Sequence, residues 1–350
     1  MSSAVPHSTR SVVRPWPGLA IALHRRSLAV AAALALACVA LTALALTTGT
    51  YALGPAALLQ TLRGHADAQH TFIVLDLRLP RALVALGAGA ALACAGAIFQ
   101  SLSRNPLASP DIIGFSTGSA TGALTVILLA GERSASISLG ALAGGALTCA
   151  LLWLLAWRRQ ITGQGLILAG IAIAALLAAV NDYLLTRADL DQALQARMWL
   201  HGSLQGVGWP QVRRLAMGAA LALPVALWLA PRLRLLEMGD DVATSLGLRV
   251  GTSKAGLALL AVGLTALAIA SVGPIGFIAL AAPQLARRLS RAPGAGLAVA
   301  SLMGATLCAA ADLIARHALA PFQIPVGLVT SALGGAYLVY LLAREWRRSS

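Results

Sequence analysis

Long apolar runs parted by short charged breaks organise this chain from end to end. Stretches free of Asp, Glu, Lys and Arg cover residues 27–62, 82–103, 112–131, 134–157, 160–181, 215–231, 255–286, 292–311 and 317–343. A helix needs about 20 apolar residues to cross a bilayer, with about 17–25 tolerated, so each run predicts at least one spanning helix. The 255–286 run contains Ser271-Val-Gly-Pro-Ile-Gly276, a cluster of residues that break helices and form turns, which predicts that it divides into two helices. The 27–62 run predicts one, because Thr47-Thr-Gly-Thr50 and Gly54-Pro55 end it and leave too little for a second. The pattern therefore predicts ten transmembrane helices. The sharpest local feature flanks the 82–103 run: Arg78 and Arg81 precede it, and the Pro- and Gly-rich segment 104–118 follows.

Composition narrows the class. The chain is 58% hydrophobic and 11% charged, whereas a soluble domain carries about 25% charged residues. An aqueous surface cannot be covered, and the reading is an all-α polytopic membrane protein. A formal charge of +14 is then a question of topology and says nothing of nucleic acid. With ten spans and an inner N-terminus, the inner loops collect seventeen of the 26 Lys and Arg residues, which predicts that both termini are cytoplasmic. Residues 1–26 and 344–350 form cytoplasmic tails around a transmembrane domain at 27–343. Arg10, Arg14, Arg25 and Arg26 lead into a long apolar run, so a retained first span is expected in place of a removable signal. No loop is long enough to be a separate domain.

Candidate chemistry is sparse. The nearest approach to a P-loop, Gly251-Thr-Ser-Lys254, lacks the first glycine and the hydroxyl residue after Lys. There is no HExxH, no GxSxG and no pair of intramembrane carboxylates, so neither catalysis nor a metal or other cofactor is expected. Cys38, Cys94, Cys149 and Cys308 all lie in apolar runs and read as packing residues. Gly114, Gly118 and Gly122, like Gly140 and Gly144, recur every four residues, a spacing that lets membrane helices approach closely. Asp182 and Asp312 fall near the outer ends of spans and are expected to pair locally with Arg187 and Arg316. A proton-coupled carrier places ionisable groups in mid-membrane, so the energy for any transport is expected to come from a partner.

Several short motifs now bear on family. They are Arg78-Leu-Pro-Arg81, Ala95-Gly-Ala-Ile-Phe-Gln100, Arg104-Asn-Pro-Leu-Ala-Ser-Pro-Asp-Ile-Ile-Gly114, Leu168-Ala-Gly-Ile171 and Trp199-Leu-His-Gly-Ser-Leu204. In the second half they are Met238-Gly-Asp-Asp-Val-Ala-Thr-Ser-Leu-Gly-Leu248, Val272-Gly-Pro-Ile-Gly-Phe-Ile278, Ala311-Asp-Leu-Ile-Ala-Arg316 and Pro325-Val-Gly-Leu-Val-Thr330. In these segments, and in their order, the chain resembles the FecCD/BtuC-type permeases, membrane subunits of bacterial ABC importers for ferric siderophores, haem and cobalamin. The resemblance implies a ten-helix, BtuC-like type II ABC importer permease in the inner membrane. It also implies a second permease subunit (a sister permease, or another copy), two copies of a cytoplasmic ABC ATPase, and a periplasmic or lipoprotein substrate-binding protein.

The resemblance assigns roles by position. Arg78, Arg81 and Arg316 match arginines that receive acidic side chains of the binding protein, and outward-facing guanidiniums offer carboxylates a forked set of donors. Asn105, Pro106 and Leu107 match a cytoplasmic gate, with Leu168 to Ile171 near its opposing element. Residues 237–248 match the coupling helix that seats in the ATPase, through Glu237, Gly239, Asp240, Asp241, Ala243, Leu246 and Gly247. There Val242, Ala243, Leu246 and Leu248 are expected to form one apolar face, with Glu237, Asp240 and Asp241 in the first turn. The wording around Asp111 and Arg197 is nearest to ferric-siderophore members of the catecholate type. A cobalamin or haem permease is the alternative, and a proton-coupled secondary transporter is the alternative of another class. Two positions depart from the family: Pro283-Gln284 stands where Pro-His is common, and Gln323-Ile-Pro325 where Glu-Leu-Pro is common. Neither is assigned a role.

Overall fold

A computed structural model of the chain describes residues 10–16, 19–49, 51, 53–110, 114–130, 134–159, 164–291, 294, 296–319 and 322–349. A short antiparallel ribbon, β1 (Arg10–Trp16) and β2 (Leu19–His24), precedes α1 (Arg25–Thr47). α1 ends at the threonine cluster, as the sequence predicts, and α2 (Pro55–Leu62) opens on a proline, whose missing N–H would have no helical partner there.

α3 (Ala68–Thr71) continues through a π-helical segment (Phe72–Arg78) into α4 (Leu79–Ser103). The 82–103 run is therefore part of one 36-residue helical stretch, Ala68–Ser103. The widened turn has a local cause: Pro80 has no N–H to return to the Asp76 carbonyl, so the hydrogen-bond ladder shifts there. α5 (Phe115–Ala130), α6 (Ser134–Arg159), α7 (Gln164–Arg187), α8 (Leu190–Leu200) and α9 (Trp209–Glu237) follow. Then come α10 (Asp240–Ser245), α11 (Val250–Val272), α12 (Ile278–Ser290), α13 (Leu297–His317) and α14 (Val326–Ser349).

Among the described residues, seven helices are long and apolar enough to cross a membrane: α1, the Ala68–Ser103 stretch, α6, α7, α9, α11 and α13. α5 and α14 contain shorter apolar segments, Phe115–Leu129 and Val326–Tyr337. The expected count of ten is thus not reached by length. The 255–286 run does divide at its turn cluster, into α11 and α12, but α12 has only 13 residues and covers about 20 Å. It also carries Arg287 and Arg288 near its end.

α4 is the axis of the bundle, with α1, α9, α11, α12 and α13 packed around it. Its buried positions are mostly alanine and glycine, among them Ala85, Ala88, Gly89, Ala93 and Gly96. A methyl group on Gly89 would lie 2.3 Å from the Gly304 carbonyl oxygen, and one on Gly96 would lie 1.8 Å from that of Ala279. α5 and α6 meet in the same way along the predicted glycines, where a methyl on Gly122 would reach the Gly140 carbonyl at 2.0 Å. Without a hydrophobic drive between helices in lipid, such close backbone contact is what holds them. Ile269 of α11 packs with Phe115, Leu124 and Ile127 of α5 and with Ala196 of α8, which joins the α5–α6 pair to the main bundle. Cys38, Cys94 and Cys308 are buried and Cys149 half-buried, all as free thiols. Leu36, Leu129, Trp153 and Leu221 lie exposed on the outside of the helices, a surface suited to hydrocarbon and costly in water.

Candidate functional site

Three of the quoted motifs, far apart in sequence, meet at one cleft. Gly202, after α8, takes a positive φ of +64, and its carbonyl accepts from the Gly327 N–H at 3.2 Å. The Ser203 N–H donates to the Val272 carbonyl at the end of α11 (2.8 Å). A methyl on Gly202 would lie 2.4 Å from the Pro274 carbonyl oxygen, and one on Gly327 would lie 1.8 Å from that of His201. Only glycine lets these three backbones touch. Phe277 starts α12 with φ +68, and Gly334 of α14 leaves room for its ring. The junction borders a cavity of about 560 Å³ lined by Leu107, Ser109, Ser116, Leu200, His201, Pro274, Phe277, Leu280 and Ser331, among others. Non-helical backbone at membrane depth is tolerated where protein buries it or where it lines a cavity, and residues 273–277 meet that condition. The walls are apolar with a few hydroxyls and one imidazole.

At one end of the cleft lies the loop after α4. Arg104 is its left-handed cap (φ 49), and the Asn105 N–H returns to the Gln100 carbonyl at 3.1 Å. Asn105 Oδ1 accepts from the Leu107 N–H at 2.9 Å, a local turn that this residue type favours. Leu107 is about half exposed (51%) and faces the cavity. Pro106 is held from α12, because Gln284 Nε2 donates to its carbonyl at 2.8 Å. Gln100 donates to the Leu280 carbonyl and accepts from Arg287, both at 2.9 Å. Leu168 and Ile171 are exposed in the first turns of α7, which approaches the loop at Gly114.

The segment expected as a 237–248 helix is shorter than predicted: α10 spans Asp240–Ser245. Glu237 is the last residue of α9, where it accepts from Ser101 Oγ at 2.6 Å, and so it lies outside the first turn expected for it. The reason is Gly239, whose φ of +121 breaks the chain between the two helices. Gly247 (φ +82) ends the segment in the same way. Asp240 and Asp241 do occupy the first turn of α10, where the helix dipole favours anions. Asp240 bridges two cations, Arg104 Nη2 at 2.7 Å and Lys254 Nζ at 2.5 Å. The Lys254 hydrogen bond, with the charges of Lys254 and Arg104, holds the Asp240 carboxyl below the usual carboxylate range. The expected single apolar face is split: Ala243 is buried and Leu248 half-buried, while Val242 and Leu246 stand exposed at 40% and 60%.

At the opposite end of the bundle the three arginines turn inward. Arg78 is buried and donates to the carbonyls of Leu46, at 2.7 Å, and of Tyr51. Arg81 binds Asp312 through Nε and Nη2, at 3.0 and 2.9 Å, and Gln323 Oε1 through Nη1 at 2.7 Å. Arg316 pairs with the same Asp312, as the local reading expected. In this structure the carbonyls of Leu46 and Tyr51 and the buried Asp312 carboxylate accept from these guanidiniums. The expected Asp182–Arg187 pair is not made; Arg187 lies over the Tyr183 ring, 5.5 Å from its centre. Both departures from the family pattern prove to be contacts, Gln284 with the loop and Gln323 with Arg81. No sequence signal marks them, since their partners lie 178 and 242 residues away.

Comparison with known proteins bears on what such a cleft serves. The chain is 46% identical to the ferric enterobactin transport system permease protein FepG of Escherichia coli over 328 residues, 94% of this chain and 99% of that protein. It is 38% identical to the Fe(3+)-citrate import system permease protein YfmE of Bacillus subtilis, over 93% of this chain and 98% of that one. Its fold matches a solved metal-chelate type ABC transporter in an inward-facing conformation. That match has a TM-score of 0.82 at 28% identity and covers 91% of this chain and 99% of the other. A family model spans residues 35–344, and with relatives matched almost end to end, the chain belongs to the FecCD transport family.

Proposed function

We propose that this chain is the membrane-spanning permease subunit of a binding-protein-dependent ABC importer for ferric siderophores, with catecholates such as ferric enterobactin the first class to test. The observation that carries the reading is the 46% identity to FepG across 99% of that protein. Ten segments then cross the bilayer, α12 doing so over part of its depth with the 273–277 break completing the passage. Both termini are cytoplasmic, in keeping with the seventeen basic residues of the inner loops. In that orientation the Asn105–Leu107 loop is an inner gate. α10 is the seat of a separate ATPase, for which Val242 and Leu246 offer an exposed apolar contact. A second permease supplies the facing wall of the pathway.

A substrate-binding protein docks on the outer face. Arg81 is the arginine best placed for it, since an incoming carboxylate need only displace the neutral Gln323 amide. Arg316 and Arg78 support that face from beneath. Arg81→Glu is expected to weaken capture of the binding protein. Unchanged affinity would remove the assignment. The reading as a whole is tested by deleting the gene in a strain without paralogues and following iron-labelled ferric enterobactin. Uptake is expected to vanish and to return with the gene supplied in trans; undiminished uptake would contradict the substrate.

A further inference from the structure

Two ties hold the loop after α4, one to α12 and one to α10, and the second joins three separate elements through one carboxylate. Arg104 closes α4, Asp240 opens α10, and Lys254 lies near the start of α11. We propose that Arg104, Asp240 and Lys254 form a mechanical clamp that carries movement of α10 to the loop 105–107, which makes them positioning residues for coupled transport. The proposal rests on the reading of α10 as the ATPase seat and of the loop as the gate.

The geometry suits transmission. The loop is stiff: Arg104 and Asn105 return hydrogen bonds to Ser101 and Gln100, and Leu107 and Ala108 both donate to Asn105. A pull on Arg104 therefore moves the turn as a unit. α10, by contrast, is hung between Gly239 and Gly247, both at positive φ and both without a neighbour within 4 Å of an added methyl. It is free to tilt about Ala243, the one residue of the helix that is buried. Beside the clamp lies a polar cavity of about 280 Å³ lined by Gln100, Ser101, Arg104, Pro106, Glu237 and Arg287, with Gly294. α4, α9 and α12 thus meet there across space, so the loop can shift without tearing apolar packing. The other tie, from Gln284 of α12 to the Pro106 carbonyl, marks the element against which the loop would move.

The clamp residues are half exposed, with side-chain exposures of 48% for Arg104, 43% for Asp240 and 35% for Lys254. Exposed ion pairs add little to stability, so breaking this one should spare the fold and still uncouple the machine. The full complex, with second permease, ATPase and binding protein, is reconstituted in proteoliposomes, and ferric enterobactin moved per ATP hydrolysed is measured. Arg104→Gln and Asp240→Asn should each lower that ratio several-fold, and Arg104→Gln, outside the ATPase seat, should do so with the ATPase still captured. The double variant should be no worse than either single one, as for groups acting through one contact. Arg104→Lys, which keeps the charge, should restore most of the ratio.

An unchanged ratio in both single variants, additive losses in the double, or loss of ATPase capture in Arg104→Gln would overturn the clamp. If the unaltered complex fails to accumulate ferric enterobactin, the proposed function falls and the clamp with it. If that complex transports and the variants match it, the clamp alone falls.

Discussion

At position 327 a side chain as small as a methyl would sit 1.8 Å from a backbone oxygen that cannot move without unseating α8 from α11. Overpacking of this kind costs about 1–3 kcal/mol. Gly327→Ala is expected to lower the melting temperature of the purified protein and to reduce uptake. Gly256→Ala, with nothing within 4 Å, should do neither. Asp312 poses the opposite problem, a buried carboxylate on which two arginines depend. Asp312→Ala leaves both charges uncompensated, and removing one partner from a buried pair costs about 3–5 kcal/mol. Thermal unfolding in detergent should show that loss, with a smaller one for Arg81→Gln, which keeps the Arg316 pair. At this scale the sequence was legible only over short range. The Asp312–Arg316 contact spans one helical turn and could be anticipated. The Arg81–Asp312 contact spans 231 residues, and no local pattern announces it.

Elements were legible where chemistry is local. The Thr47 end of α1, the division between α11 and α12, and the glycine seam between α5 and α6 all follow from residue type and spacing. Lengths were not: α12 runs past the charge-free stretch to Ser290 and still has only 13 residues. Likewise, α10 is cut from α9 by a single glycine conformation. The charge state of α10 gives an element-scale prediction. A carboxyl whose folded pKa is depressed adds stability that is present above its unfolded value and lost as pH falls through the folded one. Because Asp240 is shifted downward by Lys254 and Arg104, this contact should be insensitive to pH from about 5 to 8 and fail only below about pH 4. Hydrogen exchange of the α10 amides should show that acid limb in the unaltered protein. Asp240→Asn should abolish it.

On the proposed function the whole molecule is a conduit worked from both ends. α4 carries the arginine network at one end and the Arg104 cap at the other, so a single axial helix links the two. The molecule's broadest features, membrane-borne and helical, were plain from the charge-free runs alone. The convergence of residues 199–204, 272–278 and 325–330 was not, because no periodicity within any one segment encodes its neighbours. The central claim is transport driven by partners. It is tested most directly in proteoliposomes that hold this chain, a second permease and the ATPase, with the binding protein and labelled ferric enterobactin supplied outside. Accumulation should require ATP and the binding protein together. Accumulation driven by a proton gradient in vesicles lacking the ATPase would contradict the account.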